Sequence, residues 1–248
     1  MGVNAHSTKK NQYNYNRKDH AIFTPPPVCE WLAKILEPEI PRGGTILDPA
    51  CGGGNLLDPF EDTYTTIGCD IEDYGAELDH FVKDDFLTWK AGDYGIDIVV
   101  MNPPYNHTKE SAKTYGRSTL LPELFADKCF KLFGTKVKMI MFTPMGLRLN
   151  IRKQKESQGN RYDKIRDNWG DITSIVSLPM DIFHNVDFDP SKPVQIRNTK
   201  KGIMKSNILR KETQQEILFF NMPDLKPHYC LPESVLEKLR ETDREMLK

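Results

Sequence analysis

Cysteine is scarce in this chain and scattered where it occurs. The five cysteines (Cys29, Cys51, Cys69, Cys129 and Cys230) show no Cys-x-x-Cys spacing, and the six histidines do not cluster with them. That pattern argues against a disulfide framework and against a zinc site, so the expectation is an intracellular protein that holds no metal. Long apolar runs are missing too. None approaches the roughly 20 residues needed to span a bilayer, mean hydropathy is −0.55, and the opening stretch Met1 to Lys18 is polar rather than signal-like. The reading is a soluble, cytoplasmic protein with no membrane partner. No internal repeat or low-complexity tract appears. With 248 residues and 38% apolar content, the chain can bury one sizeable core and is expected to form one main domain with small attachments.

Net charge is almost absent, at −1, but the balance hides a segregation. From Asp48 to Asp85 eleven acids stand against Lys83 alone. From Lys192 to Lys211 there are seven bases and no acid, and from Arg148 to Arg166 seven bases face only Glu156 and Asp163. Many charge runs are simply solvated faces. Runs of opposite sign in opposite halves also suit two different ligands, with phosphates on the basic half.

Taken in order, residues 1–19 carry Asn, Lys and Tyr without periodicity and read as a flexible arm. Phe23-Thr24-Pro25-Pro26-Pro27 opens a helix, with Thr24 as N-cap, Pro25 in the first turn, and an apolar stripe of Val28, Trp31, Leu32, Ile35 and Leu36. Strands are expected at 45–47, 65–69, 80–82, 96–101, 137–142, 172–178 and 216–220, and helices at 120–133, 150–168 and 233–247. Strands alternating with crossovers imply a doubly wound, mostly parallel α/β sheet. Pro59 follows Gly54 by five residues, so the helix after the glycine turn can be scarcely more than one turn long.

Two stretches carry the chemistry. Ile98-Val99-Val100-Met101 is an unbroken apolar run, as in a strand buried on both faces. It stops at Asn102-Pro103-Pro104-Tyr105. Two prolines have fixed φ and no N–H, so carbonyls point outward beside an amide and a phenol ring, an arrangement suited to a planar amine. Upstream, Asp48-Pro49-Ala50-Cys51-Gly52-Gly53-Gly54 follows a strand. The glycines permit close backbone approach to a ligand. Leu57 stands where a dinucleotide fingerprint needs Gly or Ala, so that motif is excluded.

Together these motifs resemble the S-adenosylmethionine-dependent adenine-N6 methyltransferases of DNA, in the gamma order of their motifs, over roughly residues 20–220. The resemblance implies a Rossmann-like methyltransferase sheet of about seven strands with an antiparallel last strand, a catalytic domain over 20–222 and a C-terminal helix in 223–248. It implies S-adenosylmethionine as cofactor, whose sulfonium suits the acidic half. Asp48, Ala50 and Gly52 would hold its methionine end, with Phe23 and Thr24 closing over the carboxylate. Asp70, or Glu72 as fallback, would accept the ribose hydroxyls. Asp85, with Asp84 competing, would accept from the adenine amino group, and Phe86 would pack beside that ring. Asn102, Pro103, Pro104 and Tyr105 would form the catalytic motif, in which Tyr105 stacks on a target base turned out of the DNA helix. Phe183 is either a second aromatic wall or a core residue.

Segments 106–118, 148–168 and 184–213 are left to read DNA, with Arg197, Lys200 and Lys201 on phosphates, which is little for site recognition. A partner subunit could supply the remainder, and the protein would be a monomer or dimer of prokaryotic or phage origin, serving DNA methylation beside a restriction system. Three rivals stay open: an RNA adenine methyltransferase, a protein glutamine methyltransferase, and a catalytically silent nucleic-acid-binding subunit of a methyltransferase complex.

Overall fold

The computed structural model describes residues 23–90, 92, 94–105, 113–114, 120–144, 147, 165, 167–178, 215–225 and 230–246. Seven strands, β1 (Thr45–Asp48), β2 (Thr65–Asp70), β3 (His80–Lys83), β4 (Ile98–Met101), β5 (Lys138–Pro144), β6 (Ile172–Leu178) and β7 (Gln215–Phe220), form one sheet. Its order is β3-β2-β1-β4-β5-β7-β6. The pairs β1–β2, β1–β4, β2–β3 and β4–β5 are parallel, whereas β7 runs antiparallel to both neighbours. Three helices flank the sheet: α1 (Pro26–Leu36), α2 (Leu121–Phe133) and α3 (Glu233–Met246).

Strand alternation sorts the core into two layers. Ile46, Ile98, Val100, Ile140, Phe142, Ile217 and Phe219 lie in one cluster, and Leu47, Val99, Met101, Met139, Met141, Leu218 and Phe220 in the other. All four residues of β4 are buried, as its unbroken apolar run requires. On the second face α2 contributes Phe125, Ala126, Cys129 and Phe130.

The first face is covered without long crossover helices. Between β1 and β2 the chain makes only turns and one 3-10 segment, Asp58–Phe60, as Pro59 demands. Leu57 and Phe60 from that segment are joined by Val28, Trp31, Leu32 and Leu36 of α1 and by Val235 of α3. Helices from the two ends of the described chain thus share the face that a crossover helix would cover.

Two boundaries differ from the sequence reading. Helix α1 begins at Pro26, with Pro25 in extended geometry (ψ 138) at the cap position and no side-chain cap hydrogen bond. Thr24 therefore does not cap the helix. Its hydroxyl oxygen accepts from Asn102 and its carbonyl from Asn55, and the proline after it favours extended backbone. Strand β4 starts at Ile98 rather than Ile96, because Asp97 clamps the start of β1: its carboxylate accepts from the Thr45 amide at 2.8 Å, and its own amide donates to the Thr45 carbonyl at 3.0 Å. The expected arm 1–19 and nearly all of the expected helix 150–168 lie outside the described residues.

Gly68 in β2 shows how closely the first face is packed around the glycine turn. A Cβ there would meet the Leu78 side chain and come within 2.7 Å of Cys51 Sγ. Gly68→Ala is expected to cost about 1–3 kcal/mol through overpacking, read as a lower thermal or urea midpoint. An unchanged midpoint would show that Leu78 and Cys51 give way freely.

Candidate active site

The neighbours of β1 are β2 on one side and β4 on the other, so strand order reverses beside β1. The loops leaving β1 and β4 part there at the carboxyl edge of the sheet, the usual place for ligands in open α/β sheets. The glycine turn and the Asn102-Pro103-Pro104-Tyr105 turn are those two loops.

The glycine turn is held from three sides. Gly52 (φ 53) and Gly54 (φ 89) occupy left-handed backbone, which only glycine adopts readily. The Cys51 amide donates to the Cys69 carbonyl at 3.1 Å, and the Gly52 amide to Asp70 Oδ2 at 2.8 Å. Phe23 lies over the turn so closely that a Cβ on Gly52 would be 2.8 Å from its ring. Phe23 is buried and packs edge-on against Tyr74, with centroids 5.5 Å apart.

Two carboxyl groups sit beneath this turn. Asp48 is only 1% exposed and accepts from the Ala50 amide at 3.0 Å. Burial pushes its pKa up to about 8, with the nearby Asp70 charge adding to the rise and the Ala50 hydrogen bond opposing it. Asp70 accepts from the Glu72 amide through Oδ1 at 3.1 Å. Its pKa is raised by burial, which outweighs the amides of Glu72, Gly52 and Ile71. Among the described residues neither carboxyl group has a basic partner. Two carboxyl groups of raised pKa thus lie together beneath the turn. Beside it Ile71 is 62% exposed, an apolar surface that sequence reading passed over because a lone Ile beside an acid carries no pattern.

The turn after β3 is also ordered. Asp85 Oδ1 accepts from the Leu87 amide at 2.9 Å, an Asx-type turn, and Asp84 accepts from the Asp85 amide at 2.8 Å. Phe86 is buried and stacks on Phe125, with centroids 5.5 Å apart. Lys128 of α2, also missed by the sequence reading, pins this turn: Nζ donates to the carbonyls of Leu87 (3.0 Å) and Trp89 (2.6 Å) and lies 5.6 Å from the Phe86 ring centre.

On the far side of β1, Asn102 Nδ2 donates to Thr24 Oγ1 at 3.2 Å. Pro103 is buried and Pro104 exposed. The Tyr105 hydroxyl is buried without a hydrogen-bond partner, and burial raises its pKa. Asn55, buried at the end of the glycine turn, donates to the Thr24 carbonyl at 2.9 Å; nothing in the sequence marked it. The structure thus brings Phe23, Thr24, Asp48, Ala50, Gly52, Asp70 and Asn102 to one edge of the sheet. Phe183, Arg197, Lys200 and Lys201, all of segment 184–213 and most of 106–118 and 148–168 lie outside the described residues. No group of acids, cysteines and histidines suited to a metal ion occurs among the described residues, and no described helix is long and apolar enough to cross a membrane.

No family model matches the chain. Over 99 residues, 37% of this chain, it is 31% identical to the type II methyltransferase M.TthHB8I of Thermus thermophilus, and the match spans 22% of that relative's length. Its fold is similar to that of a protein from Listeria monocytogenes described as a class I S-adenosylmethionine-dependent methyltransferase, with TM-score 0.56, 18% identity, and coverage of 95% of this chain and 74% of the other. It is also similar to the type IIG restriction endonuclease BpuSI, with TM-score 0.54, 16% identity, and coverage of 82% of this chain and 26% of that one. The likeness establishes a Rossmann-like methyltransferase fold.

The buried Asp48 gives the ligand-free protein a pH signature. Its folded pKa lies above the unfolded one, so its contribution to stability is complete below about pH 4 and is lost as pH rises toward about 8. Asp48→Asn is expected to flatten the fall in melting temperature across that window. Parallel curves for the two proteins would contradict the burial of an unpaired carboxyl group.

Proposed function

We propose that the chain transfers a methyl group from S-adenosylmethionine to the exocyclic amino group of adenine in DNA, as a modification enzyme of restriction–modification type. The observation that carries this reading is the Asn-Pro-Pro-Tyr turn at the end of buried β4, standing across the strand reversal from a glycine turn with two carboxyl groups beneath it that have no basic partner among the described residues. The 31% identity over 99 residues to a type II methyltransferase supports the restriction–modification reading.

The residues present fit the cofactor by charge. Asp48 and Asp70 have no basic partner among the described residues, and the cofactor carries both an ammonium and a sulfonium. Asp48 faces the methionine end and Asp70 the ribose hydroxyls, with exposed Ile71 beside it as an apolar surface for the adenine ring. The Asp85–Trp89 turn, stiffened by Lys128, borders that end, and Phe23 closes the other. S-adenosylmethionine, when bound, supplies an electrophilic methyl group.

The chain's own task is then positioning. Asn102 Oδ1 and the Pro103 carbonyl accept the two hydrogens of the target amino group, which draws its lone pair out of the ring and aims it at the methyl carbon. No strong base is needed: the nitrogen becomes acidic as it gains the methyl group and would release one proton to solvent, while the bond between methyl carbon and sulfur would break to leave a neutral thioether. Tyr105 offers a ring face to the extruded base, and the basic segments 148–168 and 184–213 offer charge to phosphates.

The test is incubation with methyl-labelled cofactor and DNA, RNA or protein. Label on adenine N6 of DNA is expected, and label on a protein amide or on RNA alone would overturn the proposal. In the same assay Tyr105→Ala should lose about ten- to a hundredfold in kcat/KM through lost stacking. Tyr105→Phe should retain activity and melt no lower, since its hydroxyl is buried and unpartnered. Equal damage from Phe and Ala would argue against an extruded base.

A further inference from the structure

Thr24 neither caps α1 nor lies free; its two oxygens tie the loops of the site together. We propose that Thr24 is a positioning residue that holds the Asn102 side-chain amide in place beside the amine to be methylated. This rests on the methyl-transfer reading above, and it differs from a role for Thr24 on the cofactor.

A side-chain amide has two ends of nearly equal size and opposite hydrogen-bonding character. Turned through 180°, Asn102 would present two N–H donors to an amino group that itself must donate, and one of the two acceptors of the site would be lost. With Nδ2 on Thr24 Oγ1 at 3.2 Å, Oδ1 is the end of the amide turned away from Thr24. The backbone that carries this hydroxyl is itself held. Thr24 is 3% exposed, and its carbonyl accepts at 2.9 Å from Asn55, which is 6% exposed at the end of the glycine turn. The residue before it, Phe23, is seated on Gly52 and Gly53. The residues after it are Pro25, Pro26 and Pro27, whose ring-locked φ angles resist rotation. Three segments distant in sequence, 23–24, 55 and 102, are joined by two hydrogen bonds that place one acceptor.

Thr24→Val keeps the shape of the side chain and removes the acceptor, whereas Thr24→Ser restores it. With saturating DNA and cofactor, kcat of Thr24→Val is expected to fall about tenfold, as for loss of one hydrogen bond made in the transition state. The Kd for S-adenosylmethionine, from calorimetry without DNA, should stay within about twofold, and Thr24→Ser should recover kcat. Unchanged kcat in Thr24→Val, an equal loss in Thr24→Ser, or a cofactor Kd weakened by the same factor would overturn the proposal.

A measurement on the unmodified protein needs no variant to fold well. The Asn102 side-chain amide protons, identified by their loss in Asn102→Ala, should exchange slowly with solvent. Rapid exchange would overturn the role of Thr24 even if DNA is methylated. Absence of any label on DNA would instead strike the proposed reaction and leave the amide result standing.

Discussion

The reversal of strand order beside β1 is the constraint on which this molecule depends. Parallel strands place their carboxyl ends on one edge, but a loop there is normally packed against its own crossover. Only where the neighbours of β1 lead away in opposite directions, toward β2 and toward β4, does the edge open. Both distinctive turns of the chain emerge at that opening. The glycine turn lies there against Asp48 and Asp70 at the ends of β1 and β2, and the Asn-Pro-Pro turn brings the Asn102 amide. Because β4 is buried on both faces, its end is held by the whole core, and the turn inherits that rigidity.

Coverage of the sheet is unequal, and the inequality serves the site. The second face carries α2, whose Lys128 reaches across to hold the turn after β3. The first face has no long helix between β1 and β2, and α1 and α3 cover it instead. Recruiting α1 for this purpose draws the segment before it, Phe23 and Thr24, across the glycine turn. Packing of the core and the placement of Phe23 over the glycine turn are therefore linked, because α1 is anchored through Val28, Trp31 and Leu32.

Much of this was legible in the sequence, for identifiable reasons. All seven strands lie near the positions the sequence implies, because most carry short apolar or alternating runs bounded by turn or polar residues, and the shortness of the segment after Gly54 followed from Pro59. Thr24 was misread as a helix cap, since a Thr before prolines has the local look of one and its true partners are 31 and 78 residues away. Asn55 and Lys128 were not legible at all. An amide after a glycine run and a lysine on a helix have no pattern of their own, and their roles come from carbonyls supplied by other segments. Asp48 and Asp70 were marked by motif, yet their lack of a basic partner among the described residues appears only once burial and neighbours are known.

The central claim is that one site has two ends, a cationic cofactor over Asp70 and Asp48 and an acceptor pair for the substrate amine at Asn102. Calorimetric titration of S-adenosylmethionine into Asp70→Ala and Asn102→Ala tests it most directly. The account expects affinity lost in the Asp70 variant and retained in the Asn102 variant. Undiminished binding by Asp70→Ala, or equal loss in both, would contradict it.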